Sequence, residues 1–205
     1  MCHSNNKKNC DLINGISNKN NFADDIQFLC SKVVTDEFVQ AVFITKGHTP
    51  SVVLYNKHQI QDLNRFCGNT APDGLRTVLC VDRTFNLSCL FATVTVFKHK
   101  AVLRKNSNGY PLFVGPILLH GDGQFSTYRQ FFSHLHDAKN SEVGSTQLRV
   151  NDTILTGSDE EQALVKALQY ASPDSVHLFC TLHCMDNVHH HLTEDRIPLK
   201  IENIF

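Results

Sequence analysis

Two aspartates stand where an α/β sheet could put them to chemical use. Asp82 closes the apolar run Thr77-Val78-Leu79-Cys80-Val81, and Asp159 follows the run Asp152-Thr153-Ile154-Leu155-Thr156 by way of Gly157-Ser158. Acids at the carboxyl ends of buried strands lie where open α/β sheets bind ligands. If the two strands are neighbours, the carboxylates converge. A carboxylate pair suits Mg²⁺, or Mn²⁺ in its place, because Mg²⁺ takes one or two carboxylates and fills its shell with water and phosphate oxygens. Two such ions can clamp the attacking and leaving oxygens of an in-line displacement at phosphorus. Each acid also has a local reading. Asp82 can be a turn former bonded to nearby backbone amides. Asp159 can favour the dipole of a helix whose capping box is Ser158 with Glu161.

A second group of side chains follows the next apolar run. Cys180-Thr181-Leu182-His183 precedes Cys184 and His189-His190-His191. Cys-x-x-His has the spacing of half a zinc site. No second well-spaced pair accompanies it, so a buried thiol with a polar neighbour is the reading set against zinc. Cys180 and His183 as nucleophile and base would need an orienting third group and an oxyanion site. The remaining cysteines beside apolar stretches, Cys30, Cys67, Cys80 and Cys89, read as buried thiols. Lys98, His99, Lys100, Arg104 and Lys105 form a basic stretch, either a phosphate contact or a solvated hairpin tip. Asp122, between Gly121 and Gly123, reads as a turn, and no glycine-rich phosphate loop is present.

The elements that must position these groups follow from apolar periodicity. Residues 1–21 are rich in Asn, Lys and Ser and read as a disordered leader. Residues 22–74 read as a helix from Phe22, strands over 38–44 and 51–55, and a helix over 59–67, ending in a Gly/Pro breaker cluster. From residue 75 the pattern is α/β. Strands are predicted at 77–82, 90–97, 111–119, 152–156 and 175–180, with helices near 125–136 and 160–170 and helical character over 182–192. Pro111 and Pro116 favour an edge or a bulge in the third of these strands. Lys139 to Gln147 reads as loop. Three strands before the first helix imply a mixed sheet rather than a doubly wound parallel one.

Composition bounds the rest. The chain has 205 residues, 19 Lys+Arg against 20 Asp+Glu and a net charge of −1, which excludes a histone-like electrostatic binder. No apolar run approaches the roughly 18 residues of a membrane helix, and the polar N-terminus leads into no signal core. A reduced intracellular setting without a membrane partner is the expectation.

Three segments together resemble one family. Val78-Leu79-Cys80-Val81-Asp82-Arg83-Thr84-Phe85-Asn86-Leu87 is similar to the first-acid strand of Mutator-like element (MULE) transposases. Thr156-Gly157-Ser158-Asp159-Glu160-Glu161-Gln162-Ala163-Leu164 is similar to their second-acid motif, and His177 to His183 to their Cys-x-x-His motif. Order and spacing agree over about residues 75–192. The resemblance implies a ribonuclease-H-like mixed sheet flanked by helices in residues 75–205, C-terminally incomplete, with 22–74 as a small α+β extension. It implies Asp82 and Asp159 as catalytic metal ligands for Mg²⁺ or Mn²⁺, and Cys180 with His183 as a structural or zinc motif. It also implies DNA as substrate, an oligomer of transposase chains, and a nuclear setting.

The sequence departs from the family at the third acid, a Glu on a later helix. Glu194 and Glu202 stand too early for it, and Cys80 and Ser88-Cys89 stand where the family often has small residues. The expectation is a fragment or decayed copy of a DNA transposase core that by itself neither cuts nor joins DNA. The alternative is a non-catalytic, domesticated DNA- or protein-binding module with the same fold. Whether the chain is an enzyme turns on that third acid.

Overall fold

A mixed sheet carries the molecule, and its strand order follows from which segments can bury an apolar face. The computed structural model describes residues 22–68, 76–87, 90–142, 154–159 and 161–181. In chain order these form α1 (Phe22–Thr35), β1 (Val39–Phe43), β2 (Ser51–Leu54), α2 (Lys57–Cys67), β3 (Leu79–Leu87) and β4 (Leu90–Lys98). There follow β5 (Leu112–His120), α3 (Phe125–Glu142), β6 (Leu155–Ser158), α4 (Gln162–Ala171) and β7 (Val176–Phe179). The strands form one seven-stranded sheet in the order β1-β2-β5-β4-β3-β6-β7. β1 to β5 pair antiparallel wherever they meet, while β3/β6 and β6/β7 are parallel. The expected adjacency of the two acid-bearing strands is therefore present. Leu79 pairs with Thr156 and Cys80 with Gly157.

One face of the sheet is covered by helices. Val53 of β2, Val81 of β3 and Leu118 of β5 pack against Ile60 of α2, against Tyr128, Phe131, Phe132 and Leu135 of α3, and against Leu164, Ala167 and Leu168 of α4. Each large side chain buried there contributes about 1.5–3 kcal/mol. Leu63, Phe66 and Cys67 at the end of α2 close a second cluster with Leu79, Phe97 and Ile154. The sequence break at residue 74 does not separate two cores. β2 pairs with β5, and Ile60 shares one cluster with Leu164.

Several boundaries differ from the sequence expectation, each for a local reason. β3 does not end at Asp82: pairing with β4 continues through Arg83, Thr84 and Leu87. The polar residues Asp82 and Arg83 read as a strand end, but they alternate faces like the residues before them. α3 continues to Glu142, across the polar segment read as loop, because Lys139 is 5% exposed and lies on its buried side. Ser158 and Glu161 form no capping box. Ser158 is the last residue of β6, and Glu161 is itself the N-cap of α4 without a side-chain cap bond. The capping box lies instead at α2, where Asn56 Oδ1 accepts from Gln59 N at 3.0 Å and Gln59 Oε1 accepts from Asn56 N at 2.8 Å.

β5 lies inside the sheet, so of the two expectations for its prolines the bulge is the one realised. Val94 pairs with Ile117 and Val96 with Val114, leaving Thr95 opposite both Gly115 and Pro116. Thr95 Oγ1 donates to the Pro116 carbonyl at 2.7 Å. A Cβ on Gly115 would lie 2.5 Å from that same hydroxyl oxygen. Of the cysteines read as buried, Cys67 is fully buried, and burial pushes its thiol up to about 11. Cys30 and Cys80 are exposed, and Cys89 lies outside the described residues.

Candidate metal site

Strand register brings the two predicted acids to one level of the sheet. Cys80 lies opposite Gly157, so two residues further on Asp82 stands level with Asp159. Adjacent strands are about 4.8 Å apart. Asp82 pairs with Val94 on its other side and is exposed, on the sheet face away from the helices. Among the described residues its carboxylate makes no hydrogen bond or ion pair, so its side chain does not bond the local backbone amides as a turn former would. Asp159, half-buried, follows β6, and its Oδ1 accepts the backbone N–H of Glu161 at 3.2 Å. Both acids line one open groove of about 330 Å³, bounded by Cys80 on β3 and by Leu178 and Cys180 at β7. Gly157 makes its floor. A Cβ there would meet Val78 Cγ1 at 3.1 Å and the Leu178 carbonyl oxygen at 3.5 Å.

The thiol part of the expected site is only partly described. Cys180 is half-buried and donates its N–H to the Ser158 carbonyl at 2.9 Å. Cys80 shares the groove with it: burial and the neighbouring Cys180 thiol push Cys80 up, and Lys98 acts against them. His183, Cys184 and His189 to His191 lie outside the described residues, so the zinc half-site has no geometry here. Among the described residues no three His, Cys, Asp or Glu side chains gather into a metal-binding group. Two carboxylates on one open groove fit a single hard divalent ion that keeps water or phosphate oxygens in its shell. They do not make a closed protein cage.

Arg83, the residue after Asp82, points the other way and enters a polar cluster behind the groove. Arg83 Nη1 lies 3.0 Å from Glu161 Oε1, and the two side chains are 23% and 16% exposed. Tyr128 Oη donates to the same carboxylate oxygen at 3.0 Å. Arg83 also lies over the Phe91 ring, 5.2 Å from its centroid. Gly123, in the loop before α3, leaves the space this pair needs: a Cβ would strike the guanidinium and sit 3.0 Å from Glu161 Oε1. Burial pushes the Glu161 carboxyl above its ordinary 4.5, with the Asp159 charge adding and Tyr128 and Arg83 opposing. Burial and the Glu161 charge raise the Tyr128 phenol.

The cluster continues toward the loop between β1 and β2. His120, fully buried, bonds Thr93 Oγ1 at 2.8 Å through Nε2 and the Asp122 carbonyl through Nδ1. Asp122 Oδ1 accepts from Gln124 N at 3.1 Å and Thr127 Oγ1 at 2.7 Å, and its Oδ2 meets His48 Nδ1 at 3.1 Å. The expected turn at Asp122 is thus a turn whose side chain ties down the start of α3. Burial raises the Asp122 carboxyl, but the bonds from Thr127, Gln124 and His48 outweigh it and hold it below 3.8.

Sequence reading found the two acids and missed Arg83, Glu161, Tyr128 and His120 as a connected set. The available signal was alternation: Leu79, Val81 and Arg83 occupy the same face of one strand, and an inward Arg calls for a carboxylate. No protein-family model matches the chain, and no curated protein or solved structure matches it.

Proposed function

We propose that this chain carries the core of a MULE-type DNA transposase, with a ribonuclease-H-like fold and a divalent-metal site formed by Asp82 and Asp159. One observation supports the reading above the others. An antiparallel trio β3-β4-β5 is followed by β6 and β7, each parallel to its inner neighbour, and the acids of β3 and of the β6 end share one register level and one groove. The resemblance in sequence implied that convergence for just these residues. A bound Mg²⁺ or Mn²⁺ supplies positive charge to phosphate oxygens during strand cutting and joining. Asp82 presents a carboxylate without a bonding partner among the described residues. Asp159 presents the oxygen left over from its bond to Glu161 N, and the groove stays open to a phosphodiester on the side away from the helices.

Two acids hold one ion. A second ion calls for a further carboxylate, which this reading requires beyond residue 181. The count of two acids in the groove favours, for the described residues taken alone, the non-catalytic DNA- or protein-binding alternative. DNA as partner, a nuclear setting and assembly with further transposase chains belong to the same proposal. For the membrane, no helix among the described residues is long and apolar enough to cross one.

Labelled duplex DNA incubated with the chain in Mn²⁺ or in EDTA tests the proposal. The expected result is retention of DNA that depends on metal and is lost in Asp82→Asn. Equal retention in EDTA and in the Asn variant would sink the metal-site reading. Nicking that disappears in Asp159→Asn would show that a third acid completes the site.

A further inference from the structure

The metal-site reading leaves the arrangement behind β3 unexplained. Arg83 and Glu161 lie on the helix face, bonded at 3.0 Å and largely shielded from water. Tyr128, fully buried on α3, donates a second bond to the Glu161 carboxylate. Gly123 gives up any side chain to make room. Arg83 is covalently next to Asp82, and the Glu161 amide is the donor to the Asp159 carboxylate. One ion pair thus joins the two short segments that carry the acids, β3 and the turn between β6 and α4.

Within the proposed metal site, we propose that the Arg83–Glu161 pair, steadied by Tyr128, is the positioning device that fixes Asp159 against Asp82. β6 pairs with β3 only at Leu79 and Cys80, before the level of the acids. Beyond Gly157 no ladder pair holds the two segments together. The ion pair supplies the missing tie at the level where the acids stand. It does so from behind the sheet, so it never enters the groove. Arg suits the task better than Lys, because its planar guanidinium reaches Glu161 Oε1 through Nη1 while lying over the Phe91 ring, where an ammonium offers only a point charge. Burial makes the tie costly to break one-sidedly, since an unpaired charge would remain behind.

The test uses variants that keep net charge, so that Mn²⁺ is not attracted more or less strongly for trivial reasons. Arg83→Lys keeps the charge and loses the planar guanidinium, and Tyr128→Phe removes one bond to Glu161. Leu63→Ala, from the core cluster at the other end of β3, lowers stability without touching the pair. Phe66→Leu in the same cluster replaces it if Leu63→Ala does not fold. Free Mn²⁺ is counted by electron paramagnetic resonance at a temperature where circular dichroism shows every variant folded. Loss of an outer-shell partner typically weakens metal binding by about 10–100-fold. Arg83→Lys is expected to weaken Mn²⁺ binding about tenfold and Tyr128→Phe by a smaller factor in the same direction. The Leu63 or Phe66 control should bind as the native chain does. Native affinity in both Arg83→Lys and Tyr128→Phe would overturn the positioning role and leave the metal site standing. An equal loss in the control would overturn it too, as general loosening. A native chain that binds no Mn²⁺ would overturn the metal site, and this inference with it.

Discussion

The two faces of β3 follow opposite rules. On one, Asp82 is exposed and its carboxylate makes no hydrogen bond or ion pair among the described residues. On the other, one residue later, Arg83 is bonded to a carboxylate that also receives a buried phenol. The helix face around it holds Val81, Leu164 and Phe131. The groove face shows Cys80, Leu178 and a glycine floor. Burial demands that polar groups be satisfied: on the helix face Glu161 Oε1 is met by both Arg83 and Tyr128, while among the described residues its buried Oε2 has no partner. The groove leaves carboxylate oxygens available, which is what a ligand requires. In the proposed reading, stability and metal recognition are separated by one peptide unit.

Substitutions can break this contrast. The largest effect is expected on the helix face: Leu164→Ala should cost about 2–5 kcal/mol, read as a lower denaturant midpoint. Leu178→Ser in the groove, where Leu178 is 45% exposed, should change stability by less than about 0.5 kcal/mol and barely move the midpoint. Comparable losses at both positions would mean that the groove face is packed as tightly as the helix face. Next comes Gly123→Ala, whose Cβ must displace Arg83 or Glu161, at about 1–3 kcal/mol. In Arg83→Ala the closer contact is gone and only the 3.0 Å approach to Glu161 Oε1 remains, so the cost of adding the methyl at residue 123 should fall. Additive costs in the double variant would place the strain elsewhere.

A smaller effect follows pH. His120, His134 and His177 are held below the ordinary 6.5, chiefly by burial. Their folded-state values lie below their unfolded ones. Their contribution is complete above about 6.5 and is lost as pH falls from there toward each folded value. Glu161 acts in the opposite sense. Raised above 4.5, it favours the fold at low pH, and that contribution is lost as pH rises through its folded value. Three imidazoles against one carboxylate give a net loss on acidification. Urea midpoints at pH 7.5, 6.5 and 5.5 should fall in that order, and a flat series would contradict the burial account. Least of all, Gly157→Ala should barely change stability, since its Cβ meets Val78 Cγ1 at 3.1 Å and the valine can give way. It should weaken Mn²⁺ binding by filling the groove floor.

Much of the fold was legible because β-branched runs and helical stripes announce themselves. Leu90 to Phe97 became β4 close to its expected bounds, and the stripe Phe125, Tyr128, Phe132, Leu135 opened α3 at its expected start. The failures fall where polar residues continue an element. Arg83 carries β3 onward because its charge is met from α4, and Lys139 carries α3 onward from a buried position; neither reason is local in sequence. That Asp82 and Asp159 stand at one level needed the sheet register, which spacing alone does not contain. The ion pair behind them joins residues 83 and 161, and no periodicity links such distant positions.

Thermal unfolding with and without Mn²⁺ tests the central claim most directly. A ligand that binds only the folded chain stabilises it in proportion to its occupancy, by about 2.7 kcal/mol at a hundred times its dissociation constant. The account predicts that millimolar Mn²⁺ raises the melting temperature of the native chain. It also predicts that Asp82→Asn and Asp159→Asn each abolish the rise while melting normally in EDTA. A native chain whose melting is indifferent to Mn²⁺, or a rise that survives in both variants, would contradict the claim that these two acids share one divalent ion.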